Sequence, residues 1–243
     1  MPVLVICPTY SEVENVAGHV EAVLRQPIQA HVLVVDDLSP DGTADAVRAV
    51  AAAHPGRVEL LERPGRRGLG RAYVAGFRHA LDDGRYDVIV QMDVDGSHAP
   101  ESLPMLVAAT ESADLVLGSR YALGGRVEDW PWRRRALSRW GNSYARAVLR
   151  VRQRDLTCGY KAWRTTLLRQ LDVGSLRADG YAFQIETTYK ATRLGARVVE
   201  VPITFRDRQR GVSKMHPGIA LEAVTAVWGL RRGQRSARRP SAN

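Results

Sequence analysis

The stretch Val88-Ile-Val-Gln-Met-Asp-Val-Asp-Gly-Ser-His98 decides how the rest of the chain is read. Val88 to Met92 is an apolar run rich in β-branched residues, which marks a buried strand. It stops at Asp93-Val94-Asp95. Carboxylates two residues apart on an extended strand end point to the same side. There they can share one hard divalent cation and leave positions open for phosphate oxygens. Gly96 permits a turn, and Ala99-Pro100-Glu101 reads as the start of a helix. Acids at the carboxyl end of a strand in an open α/β sheet stand where such folds bind ligands. Taken alone, the pair is as well explained by a solvated turn containing two acids.

Working outward, residues 3–7 and 32–35 are further strand-like runs, closed by Pro8-Thr-Tyr10 and by Asp36-Asp37. Residues 57–61 and 113–117 add two more, the last ended by Gly118-Ser-Arg120. Helical spacing covers 14–25, 71–81 and 103–110, and Ser39-Pro-Asp-Gly-Thr43 supplies a turn and caps to a helix through about 53. Strands alternating with helices at this spacing mean βαβ units and a mostly parallel sheet. Residues 1–120 are therefore expected to form a nucleotide-binding α/β half.

Beyond Arg120 the rhythm breaks. Residues 124–132 read as an irregular loop. Residues 133–150 form an amphipathic helix, with Leu137, Trp140, Tyr144 and Val148 on one face among many arginines. A helix over 183–194 and strand pieces at 197–201 and 203–205, broken by Pro202, follow. Residues 218–230 are apolar but too short to span a bilayer, which suits a core or interfacial helix. These segments extend one domain to residue 230. The arginine-rich 231–243 lacks the apolar residues needed to fold and reads as a disordered tail.

The net charge of +9, with an isoelectric point near 10.0, calls for an anionic partner: nucleic acid, an anionic membrane surface or a phosphorylated substrate. Cys7 lies within an apolar strand, so the two cysteines predict no disulfide and a reducing compartment. The opening Met1-Pro-Val-Leu-Val-Ile6 has no basic region and leads straight into a strand, so no cleaved leader is expected. A cytoplasmic location, or a peripheral one on the cytoplasmic face of a membrane, follows as the expectation.

In a parallel sheet the ends of the first, second and fourth strands lie side by side. Glu12, Asp36, Asp37, Asp93 and Asp95 then gather without being sequence neighbours, which is unfavourable unless a cation or a donor-rich ligand is present. A nucleotide sugar with its metal supplies both. The same acids would repel the phosphates of a nucleic acid, so that partner is set aside. Gly68-Leu-Gly70 follows the third strand rather than the first, lacks a third glycine in place and has no Lys-Ser/Thr pair. It is neither a dinucleotide fingerprint nor a P-loop. Arg66, Arg67 and Arg71 around it are candidate phosphate neighbours.

Seven ordered motifs carry a resemblance: Pro8-Thr-Tyr-Ser-Glu12, Val35-Asp-Asp-Leu-Ser-Pro-Asp-Gly-Thr43, Gly68-Leu-Gly-Arg-Ala-Tyr73, Met92-Asp-Val-Asp-Gly-Ser-His98, Gly118-Ser-Arg120, Asp179-Gly-Tyr-Ala-Phe-Gln-Ile-Glu186 and Asp207-Arg-x-x-Gly-x-Ser-Lys214. Together, over about residues 3 to 214, the chain resembles the dolichol-phosphate (polyprenol-phosphate) mannose synthases, family-2 glycosyltransferases of the GT-A fold, in a short form without transmembrane helices. The resemblance implies transfer of mannose from GDP-mannose to a polyprenyl phosphate, with inversion, aided by Mg²⁺ or Mn²⁺. Pro8, Tyr10 and Glu12 would line the guanosine site with Val35 and Asp37 beside them. Asp93 and Asp95 would hold the metal, and the Val94 backbone would face the nucleotide sugar. Ser97 stands where some relatives have Gln as a third ligand, and a bridging water would be needed there. Arg120, Arg208 and Lys214 match basic positions at the diphosphate or acceptor phosphate. Residues 121–230 become the acceptor and membrane-facing half, with an anionic membrane surface or a membrane protein as partner. UDP-glucose and a glucosyl product form the alternative reading.

Overall fold

The computed structural model describes residues 1–65, 68–176, 178–207 and 227–232. The apolar runs become β1 (Val3–Thr9), β2 (Ala30–Asp36), β3 (Val58–Glu62), β4 (Val88–Gln91) and β5 (Leu115–Ser119). With β7 (Lys161–Arg164) and β8 (Val198–Pro202) they form one seven-stranded sheet in the order β3-β2-β1-β4-β7-β5-β8. All neighbours are parallel except β7, which runs antiparallel to β4 and β5. Two short strands, β6 (Arg126–Val127) and β9 (Thr204–Phe205), make a second, parallel ladder. This is the mostly parallel, GT-A-like α/β architecture that the sequence predicts.

The central strands are apolar on both faces because both faces are covered. In β1, Val3, Val5 and Cys7 join α1 (Val13–Leu24), α2 (Thr43–Ala53) and α4 (Leu103–Ala109) in one core cluster. Leu4 and Ile6 face the other way, into a cluster with α3 (Leu69–Asp83), α6 (Thr165–Gln170) and α7 (Gly180–Arg193). α5 (Trp132–Leu149) packs through Ala145 and Leu149 on Ile185, Tyr189 and Val227.

Several expectations shift. β7 is absent from the sequence reading, because Lys161-Ala-Trp-Arg164 is charged at both ends and too short to show a period. It is buried nonetheless: Trp163 Nε1 donates to Gln91 Oε1 at 2.7 Å, and Lys161 Nζ to the Gln184 carbonyl at 2.8 Å. α3 and α7 begin earlier than expected, and one residue is behind both. Asp179 Oδ1 accepts from Gly70 N (2.6 Å) and from Gly180 N (2.9 Å), capping both helices. The late strand break falls at Ile203 rather than Pro202; Pro202 closes β8, a strand paired on one side only, where no donor is missed. The apolar face predicted for α5 divides. Asn142, Ala145 and Leu149 are buried, Tyr144 and Val148 partly so, and Leu137 and Trp140 are exposed.

No helix among the described residues is long and apolar enough to cross a membrane. Of the expected 218–230 helix, residues 227–232 are helical, and 218–226 lie outside the described residues, as does 233–243 of the tail.

Candidate active site

The sheet order reverses between β1 and β4, and in open α/β sheets the crevice at that point is where ligands bind. The loops after β1, β2 and β4 meet there. Two of them are laced together by hydrogen bonds. Thr9 Oγ1 donates to Asp36 Oδ1 (2.7 Å), Ser11 N to Ser39 Oγ (2.9 Å), Glu12 N to Thr43 Oγ1 (3.0 Å) and Val13 N to Asp41 Oδ2 (3.1 Å). Ser39 adds both its N–H and its hydroxyl to Asp36. Asp36, fully buried, is thus satisfied internally, and Asp37 pairs with buried Arg63 at 3.3 Å. The expected crowd of acids is relieved on the β2 side by the protein's own donors, and Asp93 and Asp95 follow directly after β4 at the same end of the sheet. Pro8 and Val35 are register partners, Tyr10 is half-buried, and Glu12 is buried with Asn15 Nδ2 on its Oε2.

Asp93 is positioned from three sides. Its Oδ1 accepts from Tyr73 Oη at 2.8 Å, and its N–H donates to His98 Nδ1 at 3.0 Å. As an acceptor at Nδ1, neutral His98 carries its proton on Nε2. Tyr73 is fully buried and stacked on Phe183 (ring centroids 5.9 Å apart), and His98 is stacked on Tyr160 (5.0 Å). Burial, then the Asp93 charge, pushes the Tyr73 hydroxyl well above its ordinary pKa, so it stays a donor. Asp95 Oδ1 accepts from Ser97 N at 3.0 Å, and Ser97 and Val94 are both buried. The antiparallel β7 delivers the last element. Lys161 is in register with Gln91, so Gly159, just before β7, comes to lie against Asp93 and His98.

On the other side of the crevice Arg120 is buried and engaged. Its Nε and Nη2 donate to the two oxygens of Asp155 at 2.7 and 2.6 Å, and Nη2 also reaches Thr157. Burial works against the charge and Asp155 more than offsets it, raising the pKa. The guanidinium that the resemblance assigns to a phosphate thus has a protein carboxylate as its first partner. Arg134 lies near it, 4.1 Å above the Trp130 ring centroid and 2.8 Å from Asp207. Tyr181 feels both signs: burial chiefly raises its pKa, Arg120 and Arg134 oppose, and Asp93 and Asp95 add. One phenol is therefore within electrostatic range of both the cations and the acids. Arg208 and Lys214 lie outside the described residues, as do Arg66 and Arg67, and Arg71 is exposed.

The donor set at Asp93 and Asp95 suits a hard cation: two carboxylates, oriented by Tyr73 and Ser97, with no third acidic or imidazole ligand atom gathered beside them among the described residues. Among the described residues the one trio with metal-like spacing is Glu59, His79 and Asp83. It lies towards the opposite end of the sheet, at the start of β3 and the end of α3. Arg85 is ion-paired there with both Glu59 and Asp83, so an arginine already balances its charge.

Tyr73, His98, Gln184 and Asp179 escape sequence reasoning as individual residues. Tyr73 and His98 close quoted motifs, and Asp179 opens one that contains Gln184, but nothing in spacing says that residues 73, 93 and 184 meet.

The glycosyl transferase family 2 profile matches residues 4–172. The chain is 48% identical over 231 residues to polyprenol monophosphomannose synthase of Mycolicibacterium smegmatis, spanning 94% of this chain and 87% of that protein. It is 47% identical to undecaprenyl-phosphate mannosyltransferase of Micrococcus luteus, spanning 95% of each. Two solved structures share the fold. Glucosyl-3-phosphoglycerate synthase of Mycobacterium tuberculosis, in complex with Mn²⁺, UDP-glucose and phosphoglyceric acid, superposes with a TM-score of 0.68 at 17% identity, covering 95% of this chain and 79% of that one. A Pyrobaculum calidifontis mannosyltransferase in complex with GDP-mannose and Mn²⁺ gives 0.59 at 20%, covering 98% and 76%.

Proposed function

The chain belongs to glycosyl transferase family 2, and on that premise we propose that it moves mannose from GDP-mannose to the phosphate of a polyprenol, with inversion, releasing GDP. The observation that carries this reading is near-full-length identity to two mannosyltransferases named for lipid-phosphate acceptors.

The chemistry fits the residues. A phosphate acceptor is already ionised at neutral pH, so no strong base is needed to make a nucleophile. The protein's task is to bring two anions together and to offset the charge that grows on the leaving diphosphate. Asp93 and Asp95 would hold the divalent ion, Mg²⁺ or Mn²⁺, which when bound supplies Lewis-acid stabilisation to that leaving group. Tyr73 and the Ser97 N–H aim the two carboxylates beforehand, the role that outer partners play around a metal. Arg120, Arg208 and Lys214 are assigned to the phosphates by their motifs, and Arg134 joins them by its place beside Arg120.

The acceptor lies in a membrane, so the enzyme must dock there. The outward face of α5 offers exposed Trp132, Leu137 and Trp140 among the arginines Arg133, Arg135 and Arg139. Aromatic and aliphatic side chains ringed by arginine suit an anionic lipid interface, and each cation near such a surface contributes about 1 kcal/mol. We place the enzyme as peripheral on the cytoplasmic face.

The decisive assay supplies Mg²⁺ or Mn²⁺, a polyprenyl phosphate and labelled GDP-mannose or UDP-glucose in parallel, followed by lipid extraction. Label is expected from GDP-mannose. Label from UDP-glucose alone overturns the donor assignment.

A further inference from the structure

The side-chain amide of Gln184 is 2% exposed, and neither its nitrogen nor its oxygen has a hydrogen-bond partner among the described residues. Buried amides are nearly always satisfied, so one left open beside a crevice points to a ligand. The residue is not loosely held. Its carbonyl accepts from Lys161 Nζ at 2.8 Å, and the same nitrogen lies 3.0 Å from Thr187 Oγ1, fixing this turn of α7 to β7.

The space in front of the amide is kept by Gly159. A Cβ built at that position would lie 3.4 Å from Asp93 Oδ2, 3.5 Å from Gln184 Nε2 and 3.3 Å from His98 Cε1. A carboxylate oxygen and an amide nitrogen thus both lie within about one atomic contact of the point that glycine leaves without a side chain. A hydroxyl satisfies both walls, donating to Asp93 Oδ2 and accepting from Gln184 Nε2. A phosphate oxygen has no proton to donate to Asp93 Oδ2, so it could engage only the amide. The sheet order says which hydroxyl. The loops after β1 and β2, assigned to the nucleoside, lie on one side of β4; β7, whose Lys161 holds the Gln184 carbonyl, lies on the other. A donor stretched across β4 puts its sugar on the Gln184 side.

Building on the proposed donor, we propose that Gln184 is a specificity-determining residue that binds a hydroxyl of the transferred hexose together with Asp93. Sites that hydrogen-bond a substrate hydroxyl discriminate strongly against analogues lacking it.

The test uses the full chain with Mn²⁺ and compares wild type, Gln184→Leu and Gln184→Glu. Calorimetric affinities for GDP and GDP-mannose are measured, together with kcat/KM for GDP-mannose and its monodeoxy analogues. Gln184→Leu is expected to lower kcat/KM for GDP-mannose about 30-fold and to weaken its binding, while GDP affinity stays within about twofold. For one monodeoxy donor, wild type and variant should become equal. Circular dichroism checks the fold, and Gln184→Glu, which keeps the shape, serves if Gln184→Leu does not fold. Equal weakening of GDP and GDP-mannose overturns the proposal. So does an unchanged preference for the sugar nucleotide, the outcome if the amide only holds a structural water. If wild type binds UDP-glucose rather than GDP-mannose, the donor reading fails instead, and the comparison of UDP with UDP-glucose still decides Gln184.

Discussion

Lys161 is fully buried on β7, and burial lowers its pKa from 10.5 to about 7, against smaller opposing contributions from Cys158 and Asp155. Between those pH values the unfolded chain carries a proton that the fold does not. Stability then rises with pH, by up to about 1.4 kcal/mol per pH unit. The contribution is fully present above the unfolded pKa and is lost as the pH falls towards the folded one. From pH 7 to about pH 10 the gain amounts to about 3–4 kcal/mol, a large share of a typical folding free energy. Lys161→Met removes the titrating group while keeping the length of the side chain; Thr187 Oγ1 remains 3.2 Å from the Gln184 carbonyl to replace part of the lost bonding. Urea denaturation of both proteins across this range isolates the effect, because every other group titrates in both. The wild type is expected to gain on the variant steadily as the pH rises. Parallel stability curves would refute a neutral, desolvated Lys161.

The metal assignment predicts that Asp95→Ala retains its circular dichroism spectrum and melting temperature while mannosyl transfer falls by on the order of a thousandfold, several kcal/mol of transition-state stabilisation; wild-type turnover would sink it. Tyr73→Phe keeps the ring stacked on Phe183 but removes a donor to an ionised group, about 1.5–3 kcal/mol. We expect a roughly 10- to 100-fold loss of kcat/KM and a higher metal requirement; if neither moves, Tyr73 does not orient Asp93. For membrane docking, Trp132→Ala combined with Trp140→Ala should lower cosedimentation with anionic liposomes several-fold while leaving solubility intact. Binding equal to wild type at every salt concentration would clear this face of α5 of the role.

Legibility followed the range of the signal. β1 to β5 are apolar runs flanked by turn residues, and βαβ alternation fixes their direction, so the donor half can be read locally. The Asp93/Asp95 pair is likewise local, since two acids at a strand end need only the strand. What escapes is held by contacts that no period encodes. The glycines at 68 and 70 suggest no purpose in the sequence. In the fold, a Cβ on Gly68 would collide with Asp179 Oδ2, and one on Gly70 would meet the Ala178 carbonyl at 2.5 Å. Small residues are needed there because a carboxylate more than a hundred positions away caps the helix they open. Arg120 has a partner that the sequence does not announce. Its motif marks it for phosphate, while Asp155, which the fold places on two of its nitrogens, is an unremarked acid in an irregular stretch.

The proposed division of the chain at about residue 120 is one of labour and does not correspond to a break in the sheet. β7 comes from the second half, yet the sheet order sets it between β4 and β5 of the first, pairing with both. Removing it would leave two buried strands with unpaired edges facing a gap the width of a strand, an arrangement whose backbone groups could not be satisfied. The same insertion carries Gly159 to Asp93 and fixes Lys161 under α7, while Asp179 ties α7 back to α3. The acidic pair therefore acquires its final surroundings only when the second half is in place. On the proposed role of Gln184, sugar recognition would then depend on residues from both halves, Asp93 from the first and Gln184 from the second.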